Sequence, residues 1–211
     1  RGKGGGWFEG ENYGRASKRH LFEALLMLKQ TAGLDLFNNP AHPFCRQALY
    51  YELYSIQPGD GLYYPGGDQP SIAQAPVRGY SRHFMLLIAE GMRGTVESEY
   101  AQYWCDHVLG DMDDIDIMKA WDFVLYHPEF PERDHKAALP PHYLAEAAGW
   151  AHSRSDWSDA ATSVVMVSTH RIEGHQHRDQ NAFVIYKGGG TGGRDGWVMT
   201  DVMPFSGENP D

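Results

Sequence analysis

The stretch His175-Gln176-His177-Arg178-Asp179-Gln180-Asn181-Ala182-Phe183 is the starting point for predicting the fold. It is preceded by an apolar, strand-like run and followed by a glycine-rich turn and Trp197-Val198-Met199-Thr200-Asp201. Side chains two residues apart leave an extended chain on the same face, so His175 and His177 should point together. They would face one metal, or one would face a metal and the other a substrate. Asp201 on the next predicted strand would complete a ligand set that zinc accepts. Two surface histidines are the plain alternative.

The C-terminal part of the chain has the two-residue period of strands after Pro140 and Pro141. We predict four strands, at residues 147–152, 162–169, 182–187 and 197–203. The glycine-rich run 188–193 between the last two predicted strands is expected to form a hairpin tip.

Residues upstream of the prolines recur at helical spacing. We predict helices at 15–32, 44–56, 97–109 and around 117–125, and one that Ser81 caps and that carries 84–92. In the first helix, Leu21, Leu25 and Leu28 are predicted to form an apolar stripe that Phe22 and Leu26 widen, and Gly33 is predicted to end the helix. Helices followed by strands indicate an α+β protein, with helical hairpins in a ring or bundle and then an antiparallel sheet. We place the domain boundary at the prolines, giving domains 1–135 and 136–211.

Composition restricts the classes of function. Of the 211 residues, 42% are hydrophobic, which is enough to fill a core, and the formal net charge of −10 argues against binding nucleic acid or an anionic membrane surface. No apolar run reaches the length of a membrane span. Cys45 and Cys105 are predicted to be buried free thiols. An acidic polysaccharide would need a local basic cleft in this acidic chain, to which Arg1, Lys3, Arg15, Arg154 and Arg178 are candidate contributors.

Several motifs together resemble one enzyme family. Near the start stands Glu9-Gly10-Glu11-Asn12-Tyr13 in a glycine-rich loop, and later come Arg154-Ser155-Asp156-Trp157, an apolar strand and Gly174-His175-Gln176-His177-Arg178-Asp179. An aromatic strand and Asp201 follow. This order resembles the heparinase II/III-like polysaccharide lyases over most of the chain. The resemblance implies an α/α toroid followed by a sandwich-like β-sheet domain, and a chain that is a fragment lacking both ends.

The resemblance implies an activity and a location. Members cleave uronic-acid polysaccharides by β-elimination, which needs a group that neutralises the uronate carboxylate, a base for the C5 proton and an acid for the leaving oxygen. Bacterial members work in the periplasm or outside the cell.

The resemblance also assigns roles to particular residues. Glu9 would neutralise the uronate carboxylate in protonated form, although Gly6 stands where the family often has His or Asn. Tyr63 or Tyr64 would be the catalytic acid and base, and the spacing leaves the choice open. His175 would help to neutralise the carboxylate or act as the base.

Other residues are implied to hold substrate or metal. Candidate substrate contacts are Trp7, Asn12, Tyr13 and Arg154. His177 and Asp201 match zinc ligands of the metal-containing members. No His follows His177, so the expected zinc site is incomplete in this chain.

Three other functions compete with the lyase. A non-catalytic homologue could bind carbohydrate or metal. A toroid glycoside hydrolase would need a second carboxylate opposite Glu9, and none is evident in a comparable loop. A cupin-type metal enzyme also has His-x-His on a strand, but the long helical half does not belong to that fold.

Overall fold

The computed structural model describes residues 2–59, 61–64, 66, 79–108, 116–168, 180–189 and 196–199. The chain divides into two compact units that alternate along the sequence. The sheet unit consists of Arg1–Gly14, Tyr50–Pro76 and Pro140–Asp211, and the helical unit consists of Arg15–Leu49 and Val77–Leu139. The α+β class predicted from the sequence is confirmed. The domain boundary between residues 135 and 136 stays a prediction.

The sheet is a five-stranded antiparallel meander in the order β1-β2-β3-β4-β5. The strands are β1 His142–Ala145, β2 Trp150–Arg154, β3 Thr162–Val167, β4 Ala182–Lys187 and β5 Trp197–Met199. Strands that follow one another along the chain are therefore also neighbours in the sheet.

The start of the sheet differs from the prediction. The first predicted strand, 147–152, begins in the turn between β1 and β2, where Gly149 has a φ of +71°. β1 was not predicted, because His142-Tyr143-Leu144-Ala145 shows no clear alternation of polar and apolar residues. Only its pairing with β2 makes it a strand, with Leu144 opposite Ala151.

One face of the sheet carries the core of this unit. Ala145, Trp150, Val165, Val184 and Tyr186 alternate inward and are almost completely buried. Tyr51 and Tyr64 pack into the same cluster from outside the sheet. Burial of this apolar and aromatic area is the main favourable term for the unit.

The opposite face of the sheet is also apolar. The register places Leu144, Ala151, Met166 and Phe183 side by side across four strands. Leu144 is 55% exposed and Phe183 44%. An antiparallel sheet with one solvated face usually has polar residues there, so this face is unusually apolar.

The N-terminal glycine-rich loop packs against the β1–β2 turn. A Cβ atom on Gly4 would lie 2.5 Å from the Cα of Ala145, and one on Gly6 would lie 2.9 Å from the Cβ of Ala145 and 2.8 Å from that of Ala148. The hydroxyl of Tyr143 donates to the carbonyl oxygen of Gly4 at 3.1 Å. Glycine is therefore required here by close approach of two chain segments.

The helices are α1 Gly10–Ala32, α2 Phe44–Tyr54, α3 Gly79–Gly91, α4 Val96–His107 and α5 Asp116–Leu125. Gly33 ends α1 in the left-handed region at φ +68°, as predicted. Ser81 was wrongly predicted as a cap, because it lies inside α3, where its buried hydroxyl accepts a hydrogen bond from Arg15 at 3.1 Å.

The predicted apolar stripe of α1 is buried only in part. Leu21 and Leu28 are about 40% exposed, whereas Lys18 and Phe22 are fully buried. Phe22 is buried because its ring packs against the ring of Phe84, with 4.9 Å between the centroids. The Lys18 ammonium lies 5.2 Å from the centroid of the Phe84 ring. The long Lys18 stem buries apolar area that a hydropathy pattern does not count.

The rest of the helical unit is built on α3. This helix contacts α4 and α5, and its residues 84–89 are buried. Thr95 caps α4 by accepting from the amide of Ser98. Cys45 and Cys105 are buried free thiols, which confirms the prediction.

Candidate functional site

The first part of the candidate site is the hydrogen-bonded pair of Trp7 and Glu9 in the N-terminal loop. The indole Nε1 of Trp7 donates to Oε2 of Glu9 at 2.8 Å, and both side chains are half-buried. Trp7 packs over the first turns of α1, since a Cβ on Gly14 would lie 2.8 Å from the Cβ of Trp7. An indole N–H only donates, so it fixes Glu9 as a hydrogen-bond acceptor.

Two further candidates for substrate contact lie on the first turns of α1. Tyr13 is 38% exposed and presents part of its ring to solvent. Asn12 lies on the helix, but its side chain is outside the described residues. Trp7, Glu9 and Tyr13 thus all belong to one short segment of the sheet unit.

Tyr63 lies inside the sheet unit. Its hydroxyl donates to Oε1 of Glu52, and neither side chain has any exposed area. The backbone of Tyr63 pairs with that of Ile56, and the side-chain amide of Gln57 donates to the Tyr63 carbonyl oxygen at 3.0 Å. These bonds fix the position of Tyr63. The Tyr63 phenol is therefore hydrogen-bonded to a buried carboxyl group.

Tyr64 belongs to the apolar core of the sheet unit. Its amide donates to the Ser55 carbonyl oxygen at 3.0 Å, and its ring lies 5.9 Å from that of His152. Adjacent residues of an extended segment point in opposite directions, which accounts for Tyr63 facing Glu52 while Tyr64 packs with Trp150. The two hydroxyls therefore sit in different surroundings.

A second buried carboxyl, Glu11, lies close to α2. Its Oε1 accepts from the Ser55 hydroxyl at 3.3 Å, and only 1% of the residue is exposed. Burial and the neighbouring Glu11 carboxylate raise the pKa of Tyr51 well above its usual range. The interior of the sheet unit thus contains two acid–phenol neighbourhoods, one around Glu11 and one around Glu52.

His152 occupies the middle of β2 on the inward face. Its ring lies 5.5 Å from Tyr51 at a steep angle and stacks on Trp150 at 6.2 Å. Burial, reinforced by the charge of Arg154, lowers the pKa of His152 to about 3. The imidazole is therefore neutral at physiological pH.

Arg154 directs its guanidinium into the unit. Nη2 donates to the carbonyl oxygens of Ile56 at 2.8 Å and Tyr54 at 3.2 Å, and the group lies 4.1 Å from the ring of Trp157. Burial lowers the pKa of Arg154. These contacts attach β2 to the chain that follows α2, and the predicted role in binding substrate stays a prediction.

His175, His177 and Asp201 lie outside the described residues. Within the described ranges, no group of three or more His, Cys, Asp or Glu side chains is arranged to hold a metal ion. The predicted zinc ligands therefore stay a prediction.

Sequence reasoning missed Glu52, Glu11 and His152. Glu52 had a signal, because it continues the helical spacing of Cys45, Ala48 and Leu49 and so falls on an apolar stripe. His152 had a signal too, because it lies two residues from both Trp150 and Arg154 and so shares the inward face of the strand with them. Glu11 was predicted to lie in a loop but belongs to the first turn of α1, so it carried no such signal.

No protein-family model matches the chain, and no curated protein matches it significantly. No helix in the described part of the chain is both long and apolar enough to cross a bilayer.

Proposed function

We propose that the protein is a polysaccharide lyase that cleaves a uronic-acid polysaccharide by β-elimination, in the manner of the heparinase II/III-like enzymes. The observation that carries the proposal is the hydrogen bond from the Tyr63 phenol to Glu52, in the unit that also holds the Glu9 loop. A phenol beside a carboxylate is a group that can take and return a proton in a desolvated site.

In this reaction the C5–H bond breaks and its electron pair forms the C4–C5 double bond, while the C4–O bond breaks toward the leaving oxygen. The base takes the C5 proton, and the acid protonates the leaving oxygen. Tyr63 supplies the acid, and Tyr63 or His175 the base. Tyr63 has no exposed area, so the proposed reaction requires a conformation in which its hydroxyl is accessible to the polymer.

Tyr63 is favoured over Tyr64 as the reacting tyrosine. The Tyr63 hydroxyl is bonded to an acid that can relay its proton, whereas Tyr64 packs among Tyr51, Trp150 and Val165.

The apolar outer face of the sheet supports a sandwich-like domain. Covering Leu144, Met166 and Phe183 with a second antiparallel layer would bury area that is otherwise left in water. We propose, on the resemblance, that the helices form part of an α/α toroid and that the protein works in the periplasm or outside the cell. Zinc held by His177 and Asp201 belongs to the same proposal, and metal analysis of the purified protein tests it.

A non-catalytic carbohydrate-binding homologue is the second candidate. The burial of both Tyr63 and Tyr64 favours it, as does Gly6 at the place where the family often carries His or Asn. In this reading, only the N-terminal segment that carries Trp7, Glu9 and Tyr13 contacts the polymer.

The test is the ultraviolet absorbance of the unsaturated uronate product, measured on alginate, heparin-type, hyaluronan and ulvan-type polymers. We expect signal on at least one polymer, an activity loss of about 100-fold or more in Tyr63→Phe because the proton donor is removed, and a smaller loss in Tyr64→Phe. New reducing ends without this absorbance would indicate a hydrolase, and binding without either product would indicate the carbohydrate-binding homologue.

A further inference from the structure

Arg154 bonds to the backbone of both segments that form the Tyr63–Glu52 contact. Its Nη2 donates to the carbonyl oxygen of Ile56 at 2.8 Å and to that of Tyr54 at 3.2 Å. Ile56 pairs with Tyr63 in an isolated antiparallel bridge, and Tyr54 is the last residue of α2, the helix that carries Glu52. One nitrogen atom therefore holds the segment that presents the phenol and the helix end that presents the carboxyl group.

The guanidinium of Arg154 is itself fixed by its surroundings. It lies 4.1 Å from the ring of Trp157, and only 9% of the residue is exposed. The carbonyl oxygen of Tyr54 lies at the C-terminal end of α2, where the helix dipole favours a positive charge. The side chain is thus in place before any substrate arrives, which is the property of a group that preorganises a site.

We propose that Arg154 is a positioning residue for Tyr63, acting through the backbone of Ile56 and Tyr54 and making no contact with substrate. The effect on activity rests on the proposed function, in which Tyr63 reacts. The inference replaces the substrate contact that the family resemblance implies for Arg154. A displaced reacting group lowers kcat, whereas a lost substrate contact raises KM, so the two roles differ in their kinetics.

Arg154→Lys tests the inference in the full chain, because lysine keeps the positive charge but lacks the planar guanidinium that lies over Trp157. We expect kcat to fall about 10- to 100-fold, with KM changed by less than about twofold, since a small displacement of a reacting group costs up to about 100-fold in rate. Arg82→Lys is the matched control. Arg82 is also 9% exposed, donates to the carbonyl oxygen of Cys105 and lies over the ring of Tyr126, but it belongs to the helical unit. This control should keep the wild-type kcat and KM.

A second measurement follows the Tyr63 phenol without requiring turnover. In protein with tyrosine isotopically labelled at the ring carbon that bears the hydroxyl, the NMR signal of Tyr63 is identified by its loss in Tyr63→Phe. Its chemical shift reports the hydrogen bond to Glu52. We expect the signal to move in Arg154→Lys and to stay in place in Arg82→Lys. Trp157→Phe keeps Arg154 but gives its guanidinium a weaker aromatic partner, so it should move the signal in the same direction by less.

An unmoved Tyr63 signal in Arg154→Lys would overturn the inference, and Trp157→Phe decides in the same way if Arg154→Lys does not fold. A raised KM at unchanged kcat would also overturn it, because that is the result of a lost substrate contact. The two proposals fail separately. A Tyr63 signal that moves only in the Arg154 and Trp157 variants, without unsaturated product from any polymer, defeats the lyase and leaves the positioning role standing. Product formed by Arg154→Lys at the wild-type rate, with an unmoved Tyr63 signal, does the reverse.

Discussion

His152 shows how one residue's surroundings set its chemistry. In water its imidazole would titrate near neutrality, but among Tyr51, Tyr64 and Trp150 the charged form loses its hydration. The burial that makes it a good packing residue also makes it a poor proton carrier at physiological pH. We therefore assign His152 to the core of the sheet unit and not to catalysis.

The same burial predicts a pH dependence of stability. The folded pKa of His152, about 3, lies below the ordinary value of 6.5. The unfolded state therefore binds a proton at His152 more readily than the folded state does. The stability that comes from burying the neutral imidazole is fully present above about pH 6.5 and is lost as the pH falls toward 3. Each unit of pKa difference corresponds to about 1.4 kcal/mol. His152→Phe, which keeps a ring in the aromatic cluster, should flatten the fall of unfolding free energy below pH 6.5.

Denaturant unfolding from pH 7 to pH 4 measures this effect. His142→Gln, at an exposed position on β1, is the control and should leave the slope unchanged. Part of the decrease in unfolding free energy with falling pH should remain in both variants, because burial lowers the pKa of His83 in the helical unit to about 4. A slope in His152→Phe equal to that of the wild type would refute the assignment.

At the scale of elements, the conformation of the N-terminal loop depends on its close packing against the β1–β2 turn. The amide of Ala147 donates to the Lys3 carbonyl oxygen at 2.9 Å, and the turn leaves no room for a side chain at Gly6. A side chain as large as His or Asn therefore does not fit at that position.

Gly6→Ala tests that packing. The added methyl would lie under 3 Å from the Cβ atoms of Ala145 and Ala148, and overpacking of this kind costs about 1–3 kcal/mol. We expect a loss of that size in the unfolding free energy, measured by chemical denaturation. Gly33→Asn is the control, because nothing lies within 4 Å of that position and Asn tolerates the left-handed conformation. Equal stability of the two variants would mean that the loop does not pack as described.

At the scale of the whole molecule, the sheet is apolar on both faces. The inward face is filled by Trp150, Val165 and Tyr186, whereas the outward face exposes Met166 and Phe183. A sheet with two apolar faces is typical of a layer packed on both sides.

Oxidative footprinting of the methionines tests the proposed second layer. Met166 and Met199 are 39% and 46% exposed on the outward face, and Met27 on α1 is 66% exposed. If a second layer covers the sheet, Met166 and Met199 should be oxidised at least several-fold more slowly than Met27. Rates close to that of Met27 would show that this face is open to water.

The sequence by itself determined the α+β class, the helices, the later strands and the buried thiols, because these follow from local periodicity and from turn residues such as Gly33. Only the tertiary structure decided that β1 is a strand, that Lys18 is buried while Leu21 and Leu28 are exposed, and that Tyr63 meets Glu52. Each of these depends on which distant residues come together. That choice follows from packing and hydrogen bonding across the chain, which no single window of sequence contains.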